Sequence, residues 1–248
     1  MIGMNRCVTG VGAMTVAILL ASTWGERLPG QELAQMQTDR RMDAVALAEK
    51  SIPASLPERS TGDWIRLGDA QLRAGQSVKA TKSFEHALRL TPELEPQLWQ
   101  YGIALFFANR PDDGKALFEK HRVVNPHDVE NAAWHFLCVA RATNLAEARK
   151  LILPAPDDRR PPMKQILQRL PGGGPEEIEA AVAALKETRG YDSARFYADL
   201  YLGLIAEAEG DLPSARRYMD RAAQTSFSHY MADVARTYAV YLKAQPGK

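Results

Sequence analysis

The densest cluster of chemically versatile side chains lies between residues 121 and 138. It contains three histidines, an aspartate and one of the two cysteines of the chain: His121, His127, Asp128, His135 and Cys138. Imidazole, carboxylate and thiolate groups are common ligands of transition metals. A histidine and a cysteine three residues apart on a helix can also form a nucleophilic pair. A metal site and a thiol-dependent enzyme are therefore the first two alternatives to consider.

The spacing of these residues favours neither chemistry. The cluster has no histidine pair four residues apart and no Cys-x-x-Cys, which are typical spacings of metal ligands. Nothing near Cys138 indicates the electropositive, exposed setting of a reactive thiol. We therefore predict no catalytic residue, no metal site and no cofactor, and we interpret Cys138 as a small buried hydrophobic residue.

An ordinary helix start explains most of the same stretch. Pro126 interrupts the preceding helix, and Asp128 is suited to cap the next one by accepting hydrogen bonds from its first amides. Glu130 lies in the first turn, where the helix dipole favours a negative charge. The pattern leaves three residues without an explanation: His127, Asn131 and His135.

The composition indicates an all-α protein without affinity for nucleic acid. The chain has 248 residues, of which 46% are hydrophobic and 25% charged, and its formal net charge is only +1. Runs of valine, isoleucine and threonine, which favour strands, are nearly absent. The small net charge gives no electrostatic attraction to nucleic acid or to an anionic membrane surface.

A repeat of 34 residues organises the middle of the chain. Three residues recur at this spacing: Gly68 as Gly102, Phe84 as Phe118, and Pro92 as Pro126. A glycine allows two helices to approach closely, an aromatic ring fills the space between them, and a proline ends the second helix. The repeat therefore predicts a series of helix pairs.

The predicted fold is a right-handed superhelical α-solenoid that has an irregular insert and a C-terminal capping helix. Residues 26–60 form a leading helix and linker, and the solenoid extends over 61–248. Its parts are repeats at 61–94, 95–128, 129–162 (degenerate) and 196–229, the insert at 154–190, and the capping helix at 228–244.

Residues 1–25 have the layout of a secretory signal peptide or an N-terminal membrane anchor. Arg6 precedes an uncharged stretch with an apolar centre at 16–21, and small residues follow it. The sequence thus predicts export to the periplasm or attachment in the cell envelope, with membrane contact only through this segment if it is uncleaved. A cytoplasmic protein whose first helix is structural is the alternative.

The first unit closely resembles a tetratricopeptide repeat (TPR). It matches the signature of that family at Trp64, Leu67, Gly68, Ala80, Phe84, Ala87 and Pro92. The resemblance implies a non-catalytic scaffold that binds proteins or peptides. The runs at 101–114, 125–140 and 196–223 further resemble the bacterial NlpI-type lipoproteins. That likeness implies a dimeric envelope adaptor that docks cell-wall hydrolases and a protease, although no lipid-accepting cysteine follows Ser22.

In tetratricopeptide proteins the first helix of each unit lines a concave groove. The resemblance assigns the following residues to that groove: Ile65, Asp69, Arg73, Trp99, Ile103, Phe106, Phe107, Glu130 and Arg141. Trp99, Ile103, Phe106 and Phe107 form an apolar stripe that can bind a partner helix or peptide. The alternative is that the chain's own later helices, or the second subunit of a homodimer, cover this stripe.

Overall fold

The computed structural model describes residues 29–51 and 60–244, so the predicted signal peptide or anchor at 1–25 lies outside the described residues. Over those two ranges the protein consists of twelve α-helices and one short 3₁₀ helix, without a strand. The predicted all-α class is therefore confirmed. No helix in these ranges has both the length and the hydropathy that crossing a bilayer requires.

The helices follow one another with short connections. The first half contains α1 (Pro29–Ser51), α2 (Thr61–Arg73), α3 (Ser77–Leu90), a 3₁₀ helix (Pro92–Gln97), α4 (Trp99–Phe107), α5 (Pro111–Val124) and α6 (Val129–Ala142). The second half contains α7 (Leu145–Lys150), α8 (Met163–Arg169), α9 (Glu176–Ala183), α10 (Tyr191–Ala208), α11 (Leu212–Ala223) and α12 (Tyr230–Ala244).

Three helix pairs share the same close contact, in which a glycine of the first helix faces a large side chain of the second. The pairs are α2 with α3, α4 with α5, and α10 with α11. A Cβ atom added at Gly68 would lie 2.9 Å from the Phe84 ring, and one at Gly102 would lie 2.6 Å from Phe118. At the corresponding place in the third pair, a Cβ at Gly203 would lie 3.1 Å from the Met219 side chain. The glycines therefore set the close approach of the paired helices.

The turns within these pairs also share one conformation. Gly75, Asn109 and Gly210 each follow a contact glycine by seven residues, and their φ angles are +78°, +60° and +82°. Glycine adopts positive φ without steric cost, and asparagine tolerates it better than most residues. The contact and the turn are thus repeated together in all three pairs.

The unit at 129–162 departs from this pattern. Phe136 occupies the place of the contact glycine, 34 residues after Gly102, and it is buried. The second helix of the unit, α7, is only six residues long, and both α7 and α8 pack against α6. A bulky residue at the contact position is incompatible with the close pairing seen in the other units.

The last helix returns to the beginning of the described fold. Helix α12 packs along α11 and also contacts α2, while α2 contacts α4, α4 contacts α6, and α6 contacts α10. Most of the buried apolar side chains form one continuous core cluster, which extends from Leu72 in α2 to Leu242 in α12. This arrangement places α12 against the helices predicted to line a groove.

Candidate binding site

Helix α12 covers the N-terminal part of the predicted groove. The Tyr230 hydroxyl donates to Asp69 Oδ1 over 3.2 Å, and the Tyr230 ring meets the Trp99 ring edge-on with 4.9 Å between centroids. One turn further, Asp233 forms an ion pair of 2.7 Å with Arg73. Three predicted groove residues therefore contact the chain's own last helix.

The same helix covers the remaining aromatic part of the groove. The Tyr238 ring lies 5.2 Å from Phe107 and 6.3 Å from Phe106, measured between centroids. The Arg141 guanidinium lies 3.6 Å from the centre of the Phe106 ring and 5.6 Å from that of Tyr241. These contacts extend α12 over two successive first helices, α4 and α6.

Ile103 and Phe106 are completely buried, with 0% of their surface exposed. Both side chains belong to the core instead of an open groove, and Phe106 packs against Tyr238 of α12. Ile65 is partly buried and packs against the core, and Glu130 belongs to a separate polar cluster. Trp99, Phe106 and Phe107 of the predicted stripe thus contact a helix of the same chain.

A buried carboxylate fixes α12 on this surface. Asp233 has no exposed side-chain area, and it pairs with Arg236 over 3.0 Å in addition to Arg73. Arg40 and Arg41 of α1 approach the same carboxylate at 3.5 and 3.7 Å. A buried charge is tolerated only when it is paired and hydrogen-bonded, and Asp233 meets that condition with residues of three helices.

A partly enclosed cavity of about 320 Å³ lies next to the covered groove. It is bounded by α4, α5, α6, α10 and the start of α12. Its lining is mostly aromatic and polar: Trp99, Phe118, His121, Asp128, Glu130, Asn131, Trp134, Tyr197, His229, Tyr230 and Met231. Its size is at the lower end of the range for ligand sites, and aromatic walls with a few polar groups are typical of them.

Three buried polar atoms on the cavity residues have no hydrogen-bond partner in the described part of the chain: His121 Nε2, Asn131 Oδ1 and Trp134 Nε1. The His121 Nδ1 atom lies 2.7 Å from the Pro96 carbonyl, which only accepts, so Nδ1 carries the proton. Nε2 of the neutral ring is then an acceptor. Asn131 donates through Nδ2 to the Phe118 carbonyl over 3.2 Å, and its Oδ1 also remains an acceptor.

One edge of the cavity is acidic. Arg160 bridges Asp128, Glu130 and Asp158 at 2.7, 2.6 and 2.6 Å. The Tyr201 hydroxyl donates to Glu130 over 2.8 Å, and burial raises the pKa of Glu130. The segment before α8 is therefore bound to α6 by a network that the sequence pattern did not predict.

The surroundings of Cys138 do not favour the thiol alternative. Cys138 is fully buried, and its Sγ lies 2.9 Å from the position that a Cβ at Gly114 would take. Burial raises the pKa of the thiol, so it stays protonated. His135 interacts with Glu119 instead, at 3.3 Å, and burial lowers its pKa. Cys138 is a packing residue, as predicted.

The metal alternative gains no support from the described residues. Within 29–51 and 60–244, no three histidine, cysteine, aspartate or glutamate side chains come together in a way that could hold an ion. His121 and Asp128 line the cavity, whereas His127 is exposed and His135 belongs to the interior of the α5–α6 contact.

Several cavity residues were missed by sequence reasoning. Trp134 was not predicted as a site residue, and Tyr197 and Tyr230 come from helices far along the chain. The usable signal was the excess of polar residues at 121–135, where Asn131 and His135 remained unexplained. Both now have partners across the α5–α6 contact.

No family model matches the chain, and no curated protein matches it. The functional proposal therefore depends on the fold and on the geometry of the site.

Proposed function

We propose that this protein is a non-catalytic scaffold of tetratricopeptide-type helix pairs that binds other proteins or peptides. The observation that carries the proposal is the repeated combination of a contact glycine and a positive-φ turn seven residues later. Helix pairs with one repeated geometry stack into a superhelical α-solenoid, and such solenoids function through extended inner surfaces.

The inner surface of this scaffold is already occupied along part of its length. Helix α12 binds there as a partner helix would, with aromatic residues against Trp99 and Phe107. The adjoining cavity is a concave region whose lining residues carry unpaired polar atoms. We infer that a partner segment inserts a side chain into this cavity while α12 stays bound.

Partner capture with a cavity variant tests this function. The full-length protein is immobilised, crosslinked in native host lysate, and its partners are quantified by mass spectrometry. Trp99→Ala removes a cavity wall, and Tyr218→Ala removes a partly buried aromatic side chain of α11 that does not line the cavity. We expect at least one polypeptide that is enriched by the unmodified protein and by Tyr218→Ala but lost with Trp99→Ala.

The control is the melting temperature of each variant, which shows that it is folded at the assay temperature. Identical partner sets for the two variants would contradict a role of the cavity. The absence of any enriched polypeptide would contradict the scaffold function itself.

We further propose that the scaffold acts in the cell envelope, as an adaptor for cell-wall hydrolases or a protease. The layout of residues 1–25 and the NlpI-type resemblance support this location, and a cytoplasmic scaffold is the alternative. Mass spectrometry of the mature N-terminus distinguishes the two. Export predicts loss of about the first 21–25 residues, whereas an intact N-terminus on protein in the soluble fraction would contradict a cleaved signal.

A further inference from the structure

The walls of the cavity are suited to a positively charged group. Trp99, Trp134, Tyr197 and Tyr230 contribute aromatic rings from four helices to one partly enclosed space. The faces of such rings carry negative electrostatic potential, and they attract ammonium and guanidinium groups more strongly when water is excluded.

The unpaired polar atoms suit a ligand with several N–H donors. His121 Nε2 and Asn131 Oδ1 are acceptors, and their residues are only 5% and 4% exposed. A buried acceptor without a donor costs roughly 1–3 kcal/mol, so a ligand that donates to both stabilises the site. Trp134 Nε1, on a residue 2% exposed, needs one acceptor, and an amide carbonyl supplies it.

The charges at the cavity also favour a cation. Asp128 and Glu130 are lining residues, and the lining contributed by the described chain includes no lysine or arginine. The nearby Arg160 is already engaged by Asp128, Glu130 and Asp158. Carboxyl oxygens at this edge attract a cation and repel an anionic ligand.

We propose that the cavity bounded by α4, α5, α6, α10 and α12 binds the cationic side chain of a lysine or arginine residue. The ammonium or guanidinium group lies between the aromatic walls and donates to His121 and Asn131, and an amide carbonyl of the same ligand accepts from Trp134. The inference rests on the proposed function in one respect, namely that a protein segment carries the residue.

Isothermal titration calorimetry on the full chain tests the charge requirement. The probes are Nα-acetyl-lysine amide and Nα-acetyl-arginine amide, and their neutral counterparts of similar shape are Nα-acetyl-norleucine amide and Nα-acetyl-citrulline amide. We expect the cations to bind at least about tenfold more tightly than the neutral probes. Equal binding of citrulline and arginine derivatives would overturn the proposal. So would the absence of binding by any probe at about 10 mM, in which case the cavity holds water only.

Cavity variants locate the binding. Trp99→Leu is expected to lower the affinity for the cationic probe by about tenfold. Glu130→Gln, which keeps the shape of the side chain, is expected to lower this affinity severalfold. Tyr218→Leu on α11 is the matched control and should leave the affinity unchanged. Unchanged affinity in both cavity variants would overturn the assignment of the site, provided that circular dichroism shows native helix content.

A third set of probes identifies the source of the cation. A short peptide whose only charged group is a central lysine side chain is compared with 1,5-diaminopentane. Binding of the peptide at least as tight as that of the diamine supports a protein-borne residue, and tighter binding of the diamine overturns that part.

If partners are captured from lysate and the cavity variants recover them equally well, the inference fails while the scaffold function stands. If the probes bind but no partner is captured, the scaffold function fails and the cation site stands.

Discussion

At the scale of single residues, the contact glycines provide the most specific test of the repeat. The Cβ of Gly68→Ala would lie 2.9 Å from the Phe84 ring, which is closer than van der Waals contact allows. We expect this substitution to lower the free energy of unfolding by about 1–3 kcal/mol, because helices α2 and α3 must separate. Urea denaturation measures the change.

Gly62→Ala in the same helix is the matched control. Its added Cβ would have no neighbour nearer than 3.8 Å, and the residue is exposed. Because alanine favours helix more than glycine does, we expect it to be neutral or to stabilise by up to about 1 kcal/mol. Equal destabilisation by both substitutions would contradict the steric account.

Asp69 makes the stability of the α2–α12 contact depend on pH. Burial raises its pKa to about 6, although the hydrogen bond from Tyr230 and the charge of Arg73 act in the opposite direction. The folded state thus binds a proton that the unfolded state has already released. The stability contributed by this group is therefore lost as pH rises from about 4 to about 6.

Asp69→Asn keeps the acceptor for Tyr230 without the charge. We expect it to raise the free energy of unfolding by about 1–3 kcal/mol at pH 7 and to have little effect near pH 4, where the aspartate is also neutral. Chemical denaturation at the two pH values measures the difference. A variant that is less stable than the original protein at pH 7 would contradict the raised pKa.

Residue types were enough to predict the repeat, but they did not predict the contacts between units. The glycine and aromatic pairs were visible at their 34-residue spacing, because each contact is made within one unit. The packing of Cys138 against Gly114 was not predictable, since it joins two units whose relative placement the sequence does not define. The same holds for the bond from Asn131 to the Phe118 carbonyl.

At the scale of elements, α12 is the helix whose role the sequence predicted least well. Its periodicity indicated an amphipathic cap, and the helix is present at Tyr230–Ala244. Periodicity defines which face is buried but not what buries it. The partners of that face include α2, α4 and α6, which lie more than 85 residues earlier in the chain.

The ion pairs of Asp233 stabilise the attachment of α12. Asp233→Asn leaves Arg236, only 6% exposed, without its charged partner, and removes the link to Arg73 in α2. We expect a loss of about 2–4 kcal/mol in the free energy of unfolding, since separating a buried pair leaves an uncompensated charge. Thermal and urea denaturation measure this loss.

Asp220→Asn is the appropriate comparison. Asp220 in α11 is 40% exposed, and its ion pair with Lys243 at 2.9 Å also connects α11 with α12. Exposed ion pairs contribute about 0–1 kcal/mol to the free energy of unfolding, so we expect only a small loss. A comparable loss in both variants would show that burial of Asp233 has no special effect.

At the scale of the whole molecule, composition and repeats predicted the all-α class. They did not predict the cavity, whose walls come from five helices between Trp99 and Met231. A local sequence pattern does not predict which side chains from distant parts of the chain line the same cavity. Six of the nine predicted groove residues contact α12, in agreement with the alternative that the chain's own later helices cover the stripe: Asp69, Arg73, Trp99, Phe106, Phe107 and Arg141.

Hydrogen–deuterium exchange of the unliganded full-length protein tests this central claim most directly. If α12 fills the inner surface, the amides of residues 231–243 are protected to within about tenfold of those in α6, which lies in the same core. Exchange of α12 on the time scale of an unprotected peptide, with α6 still protected, would contradict the account and leave the groove open.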